Sequence, residues 1–241
     1  MAISVKIATF AKPQNVGGQL IKTPKMITSF KIFLIVHIVG GSIGLLTGLL
    51  NIIQKKGGKK HKLIGRVFYF SMLVAGLSSL VLSYLNQNYF LFMVGLFTLY
   101  MVVSGQRYLI HKEIETKGNN IIGWVISLIM LLSGLLFIGL GTCSIVKSNL
   151  FGLVFVTFGS LGLLFVGQDY LNFTKKNSIK NYWIVGHLQR MTGAFIAAMT
   201  AFLVVNAQYF PDFIPGFVYW LLPTIVLTPL IIKWSKNIKQ L

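Results

Sequence analysis

Asp169 is an acid set inside a long apolar run, beside Gln168, and no other acid falls within such a run. A carboxylate in apolar surroundings must be protonated or paired with a cation, because an isolated ion there is far too costly. Arg107 and Arg190 lie at matching positions in their own apolar segments, and one of them is expected to contact Asp169. Such a pair could lock neighbouring helices together or form part of a ligand or ion site. The other groups able to do chemistry are the four histidines, His37, His61, His111 and His187, each within or at the end of an apolar segment. A histidine ring can ligate iron, and a nearby arginine can hold a propionate or phosphate. His61, His111 and His187, with Arg66, Arg107 and Arg190, are therefore the candidate cofactor-binding set. His37 stands apart, toward the opposite end of its segment.

Spacing adds detail. His187 and Arg190 are followed by Ala194, Ala197 and Ala201 at intervals of three or four, so all five share one helical face. His37, Gly41, Gly44 and Gly48 form a similar stripe, and Tyr100, Ser104, Arg107 and His111 a third. Small residues in such stripes permit close helix packing, which is the simpler explanation, or leave room for a flat ligand.

The elements that must position these groups are membrane helices. Of 241 residues 55% are hydrophobic and only 11% charged, with a mean hydropathy of +0.76. A soluble domain carries roughly a quarter charged residues. Seven apolar segments, 30–53, 64–85, 89–110, 121–145, 150–171, 183–206 and 217–234, each approach the roughly 20 residues that a helix needs to cross hydrocarbon. The expected fold is all-α, a polytopic transmembrane bundle of about seven helices over 30–234. A basic tail at 1–29 precedes it and a cytoplasmic tail at 235–241 follows it. Pro223 and Pro229 interrupt the last segment, which reads as a kinked helix.

The net charge of +18 comes from 22 Lys and Arg against 4 Asp and Glu. These charges sit in short clusters between apolar runs, which argues against nucleic acid and for a lipid bilayer as partner. With seven alternating helices, the clusters at 54–66, 107–117, 175–180 and 233–239 fall on one side, while the opposite loops carry only Lys147. The positive-inside rule makes the rich side cytoplasmic, giving a multi-pass protein of the cytoplasmic (inner) membrane with its C-terminus inside. Lys6, Lys12, Lys22, Lys25 and Lys31 oppose this, since five lysines would then precede the first helix on the outer side. The 54–66 stretch also suits anionic lipid at the inner leaflet.

Some chemistry is excluded. The single Cys143 rules out a disulfide framework and a CxxC site. Walker loops, nucleophile elbows, HExxH and Rossmann fingerprints are absent, and no metal site is expected.

After a Gly57-Gly58-Lys59 turn the chain reads His61-Lys62-Leu63-Ile64-Gly65-Arg66, and the preceding helix carries His37 and Gly40-Gly41. With the later Gly186-His187-Leu188-Gln189-Arg190-Met191, this resembles a family of bacterial integral membrane proteins of unknown function, over about 30–232. The resemblance implies no activity. It singles out His37, His61, Gly65, Arg66, His187 and Arg190. Three readings stay open. One is a membrane protein carrying haem b, or linked to quinone, that moves electrons. Another is a transporter or binder of an anionic or lipid ligand, using the arginines and Asp169. The last is a non-catalytic assembly or partner subunit.

Overall fold

The computed structural model describes residues 24–110, 120–174, 176, 181–211 and 213–240. The described residues are helical, without strands. The helices are α1 (Pro24–Ile53), α2 (Lys59–Asn86), α3 (Tyr89–Ile110), α4 (Ile121–Val146), α5 (Gly152–Phe173), α6 (Tyr182–Val205) and α7 (Gly216–Gln240), with a single 3-10 turn at Ala207–Tyr209. Seven are long and apolar enough to cross a membrane, with spans of 20 to 28 residues. Their outward faces carry large exposed side chains such as Ile35, Leu46, Leu132 and Ile225, which only hydrocarbon can solvate without penalty. This is a multi-pass membrane protein.

Three boundaries differ from those expected. α1 begins at Pro24, not near residue 30, because Pro at a first helical position loses no hydrogen bond that the helix would have made. α7 runs to Gln240, past the limit expected at 234, and continues through both Pro223 and Pro229. Its last turns are packed rather than free: Ser235 is buried, and the Asn181 amide donates to the Ile238 carbonyl at 3.2 Å. The basic stretch shortens too, since α2 already starts at Lys59.

The chain divides into two compact units. The first comprises Met1–Gly95 and Thr192–Ile232. Here α1 and α2 pack along each other, with Gly44 against Met72 of α2, while Gly48 lies against Phe195 of α6 and a Cβ on Gly41 of the same stripe would meet nothing within 4 Å. The second comprises Leu96–Met191 and Lys233–Leu241. Its α4 and α5 approach backbone to backbone. A Cβ on Gly141 would fall 2.6 Å from the Gly152 carbonyl oxygen, and one on Gly159 would fall 2.7 Å from that of Gly134. Those paired glycines, seven residues apart on each helix, bring α5 close enough for Ser127 of α4 to reach Asp169.

Candidate functional site

The second unit holds a buried polar centre built around one carboxylate. Asp169, on α5, has no exposed surface. Its Oδ1 accepts from Arg190 Nη2 at 2.6 Å and from the Tyr108 hydroxyl at 2.7 Å; its Oδ2 accepts from the Tyr100 hydroxyl at 2.6 Å and Ser127 Oγ at 2.9 Å. A carboxylate offers about four lone-pair positions. All four are taken, by residues of α3, α4 and α6. Asn172, one turn along α5, donates to the Tyr108 hydroxyl at 2.7 Å and fixes which way that hydroxyl points.

Arg190 is equally enclosed. Besides Asp169, its Nη2 donates to the Phe165 carbonyl at 2.8 Å, and its Nη1 meets the Gln168 side-chain oxygen at 3.4 Å. Its guanidinium lies 4.0 Å from the centre of the Phe165 ring, with Tyr100 and Tyr108 further off at 5.5 and 5.9 Å. Taking two ions out of water is expensive, and directed partners offset it: Asp169 has a full set, whereas Arg190 is held through Nη1 and Nη2 and its buried Nε has no partner among the described residues. Gly105 makes the approach possible, since a Cβ there would fall 2.9 Å from that of Arg190. The expected contact between Asp169 and one arginine is present, and Arg190 supplies it.

Arg107 does something else. Its Nη2 donates to the Asn120 side-chain oxygen at 2.5 Å, while its Nε and the Asn120 Nδ2 are buried with no partner among the described residues. Both residues line a small gap with Ser104, Ser127, Asp169 and Phe173, large enough for about one water molecule. Two N–H groups enclosed without acceptors are unusual, because each such group costs about 1–3 kcal/mol. The gap lies at the ends of helices: Arg107 is in the last turn of α3, Asn120 precedes α4, and Phe173 ends α5.

The histidines are dispersed. In the first unit, His37 Nδ1 donates to the Ala75 carbonyl at 2.9 Å, fourteen positions along α2 from His61. At 1.5 Å per residue this is roughly 20 Å, too far for the two to share an iron. His61 and Gly65 instead engage the end of α1. With the Asn51 amide turned so that its oxygen accepts from Gly65 N at 3.0 Å, its nitrogen lies 3.3 Å from His61 Nδ1. Beside them Lys56 Nζ donates to the carbonyls of Asn51 (2.6 Å) and Ile52 (2.7 Å), closing α1, and partial burial pulls its ammonium below the usual lysine range. Arg66 is exposed. In the second unit, His187 Nδ1 donates to the Gly105 carbonyl at 2.9 Å. His111 lies outside the described residues. Among the described residues no three His, Cys, Asp or Glu side chains gather as a metal site.

Sequence reasoning put Asp169, Gln168, Arg190, Arg107 and Tyr100 on the relevant faces but passed over Tyr108, Asn120, Ser127 and Asn172. Two of these carried a signal. Tyr108 continues the spacing of Tyr100 and Ser104, and Asn172 follows Asp169 by one turn. Ser127 and Asn120 carried none, because an ordinary serine or asparagine is singled out only by what reaches it in space.

No curated protein and no solved structure matches this chain. Residues 34–123, from His37 and the His61–Arg66 stretch through α3 to the opening of α4, match the family described as Predicted membrane protein (DUF2306).

Proposed function

We propose that this chain binds the anionic head of a small or lipid-like ligand inside the membrane boundary, at the gap between Arg107 and Asn120. The pair of orphaned donors carries this reading. Asp169 is already saturated and balanced by Arg190, so among the described residues the centre holds two guanidinium groups against one carboxylate. An oxygen of a carboxylate or phosphate entering the gap would accept from Arg107 Nε and Asn120 Nδ2 together, as charge-assisted bonds in a low-dielectric site. The haem reading has less support, because the described histidines offer no shared iron position within either unit.

The test is titration of the purified protein in nanodiscs with inorganic phosphate and, separately, with short-chain phosphatidylglycerol against phosphatidylcholine. Saturable binding of phosphate marks a free anion as ligand, and binding of the glycerol lipid alone marks a lipid head group. Arg107→Gln is expected to weaken either by about 10- to 100-fold, the value of one hydrogen bond to a charged group. Unchanged affinity in Arg107→Gln and Asn120→Ala, or no binding of any of these, overturns the proposal.

The distribution of basic residues supports a place in the cytoplasmic membrane with the C-terminus inside, to be checked with a C-terminal reporter active on one side only. The exposed Lys55, Lys59, Lys60, Lys62 and Arg66 suit anionic lipid at the same surface.

A further inference from the structure

His37 has a chemistry that neither the Asp169 centre nor the gap beside it uses. Its Nδ1 lies 2.9 Å from the Ala75 carbonyl oxygen and 3.3 Å from Ser78 Oγ. A carbonyl oxygen only accepts, so Nδ1 carries the proton, and the neutral ring must then present a bare lone pair at Nε2. Ser78 cannot redirect this, since its own hydroxyl donates to Val74 and Ala75 carbonyls at 2.7 and 3.0 Å. Among the described residues Nε2 has no partner, and it is not among the enclosed unpartnered atoms. It therefore opens to the surroundings of α1.

Those surroundings are hydrocarbon. His37 stands about 9 Å along the helix from the exposed Lys31 and about 24 Å from Ile53, on the membrane side of that lysine. Leu34, one turn before it on the same side, is exposed and apolar. One turn on, a Cβ on Gly41 would meet nothing within 4 Å, so space is left open beside the ring. An acceptor fixed at this depth has no water to satisfy it, and an intramembrane histidine without a partner is costly to keep. What can satisfy it is an O–H donor carried into the bilayer on an apolar body that fits over Gly41.

We propose that His37 is the hydrogen-bond acceptor of a binding site for a membrane-dissolved alcohol or phenol, with Ala75 holding the ring in the accepting tautomer and Gly41 leaving room for the ligand's body. No bond is made or broken; the ligand hydroxyl donates to Nε2. The two sources of that chemistry, a phenolic hydroquinone and an aliphatic alcohol, are separated by experiment.

The experiment is nitrogen NMR of the ¹⁵N-histidine-labelled protein in phosphatidylcholine nanodiscs, with the His37 resonances assigned by their loss in His37→Phe. Three probes are titrated: decyl hydroquinone, dodecanol and the dimethyl ether of the hydroquinone. The expected result is a saturable movement of the Nε2 line with the hydroquinone and none with the ether. An equal response to dodecanol assigns the site to hydroxyls in general, and a response to the hydroquinone alone assigns it to phenols. Gly41→Leu fills the open space without touching the ring's own bonds, and is expected to weaken binding about tenfold or more while the Nδ1 line stays in place. It also serves should His37→Phe fail to fold. The proposal is overturned if no probe moves the line or if the ether moves it equally. It is overturned too if the line is already hydrogen-bonded and changes with the number of chains per disc, which would make a second copy the partner.

Discussion

Two regions of this molecule concentrate charge, and they use it in opposite ways. The stretch 54–66 holds six basic residues, yet only Lys56 is folded into the structure, as the cap of α1, and the other five are exposed. The Asp169 centre holds a single acid, and that acid collects four donors from three other helices. Exposed lysines at a membrane surface stay hydrated and need no partner; a carboxylate between helices has no water and must bring its partners with it. Dense charge marks where the chain meets water, whereas isolated charge in an apolar run marks where it has been organised.

This contrast can be broken by mutation. Removing one member of the buried pair, in Asp169→Ala or Arg190→Ala, should produce the largest effect, a loss of about 3–5 kcal/mol, because the remaining ion is stranded. Thermal or denaturant unfolding in detergent measures it, and a loss below about 1 kcal/mol would place the pair in contact with water. Tyr108→Phe comes next, at about 1–3 kcal/mol, since it leaves one lone pair of Asp169 and the Asn172 amide without their bond. At the other region, Lys56→Met should cost about 0.3–1 kcal/mol through the loss of a cation at a helix C-terminus. Lys60→Met, one turn into exposed surface, should stay within about 0.5 kcal/mol. If Lys60 proved as costly as Lys56, the stretch would be a folded network and the contrast would be lost.

The seven helices were legible in the sequence because a bilayer forces each span to be long, apolar and internally hydrogen-bonded, which leaves little freedom. Asp169 was legible for the same reason, and so was its need of an arginine. Which arginine answered was not. Arg107 lies in the last turn of α3 and Arg190 in the third turn of α6, and the choice falls to Gly105, which admits Arg190 close to α3, and to Asn120, which engages Arg107 instead. Both are contacts between helices that periodicity within one helix does not fix. The histidines show the converse. Their types suggested a shared cofactor, yet His37, His61 and His187 each donate to or lie beside a different partner: a carbonyl of α2, the Asn51 amide and a carbonyl of α3. The tie of His61 and Gly65 to Asn51 gives that motif a role in joining α1 to α2.

The central claim is that Asp169 and Arg190 form one desolvated unit, each intolerable without the other. Unfolding free energies of Asp169→Leu, Arg190→Met and the double variant measure this directly. The account predicts that the double variant is more stable than either single one, with a coupling above about 2 kcal/mol. Single losses that add within about 0.5 kcal/mol would contradict it.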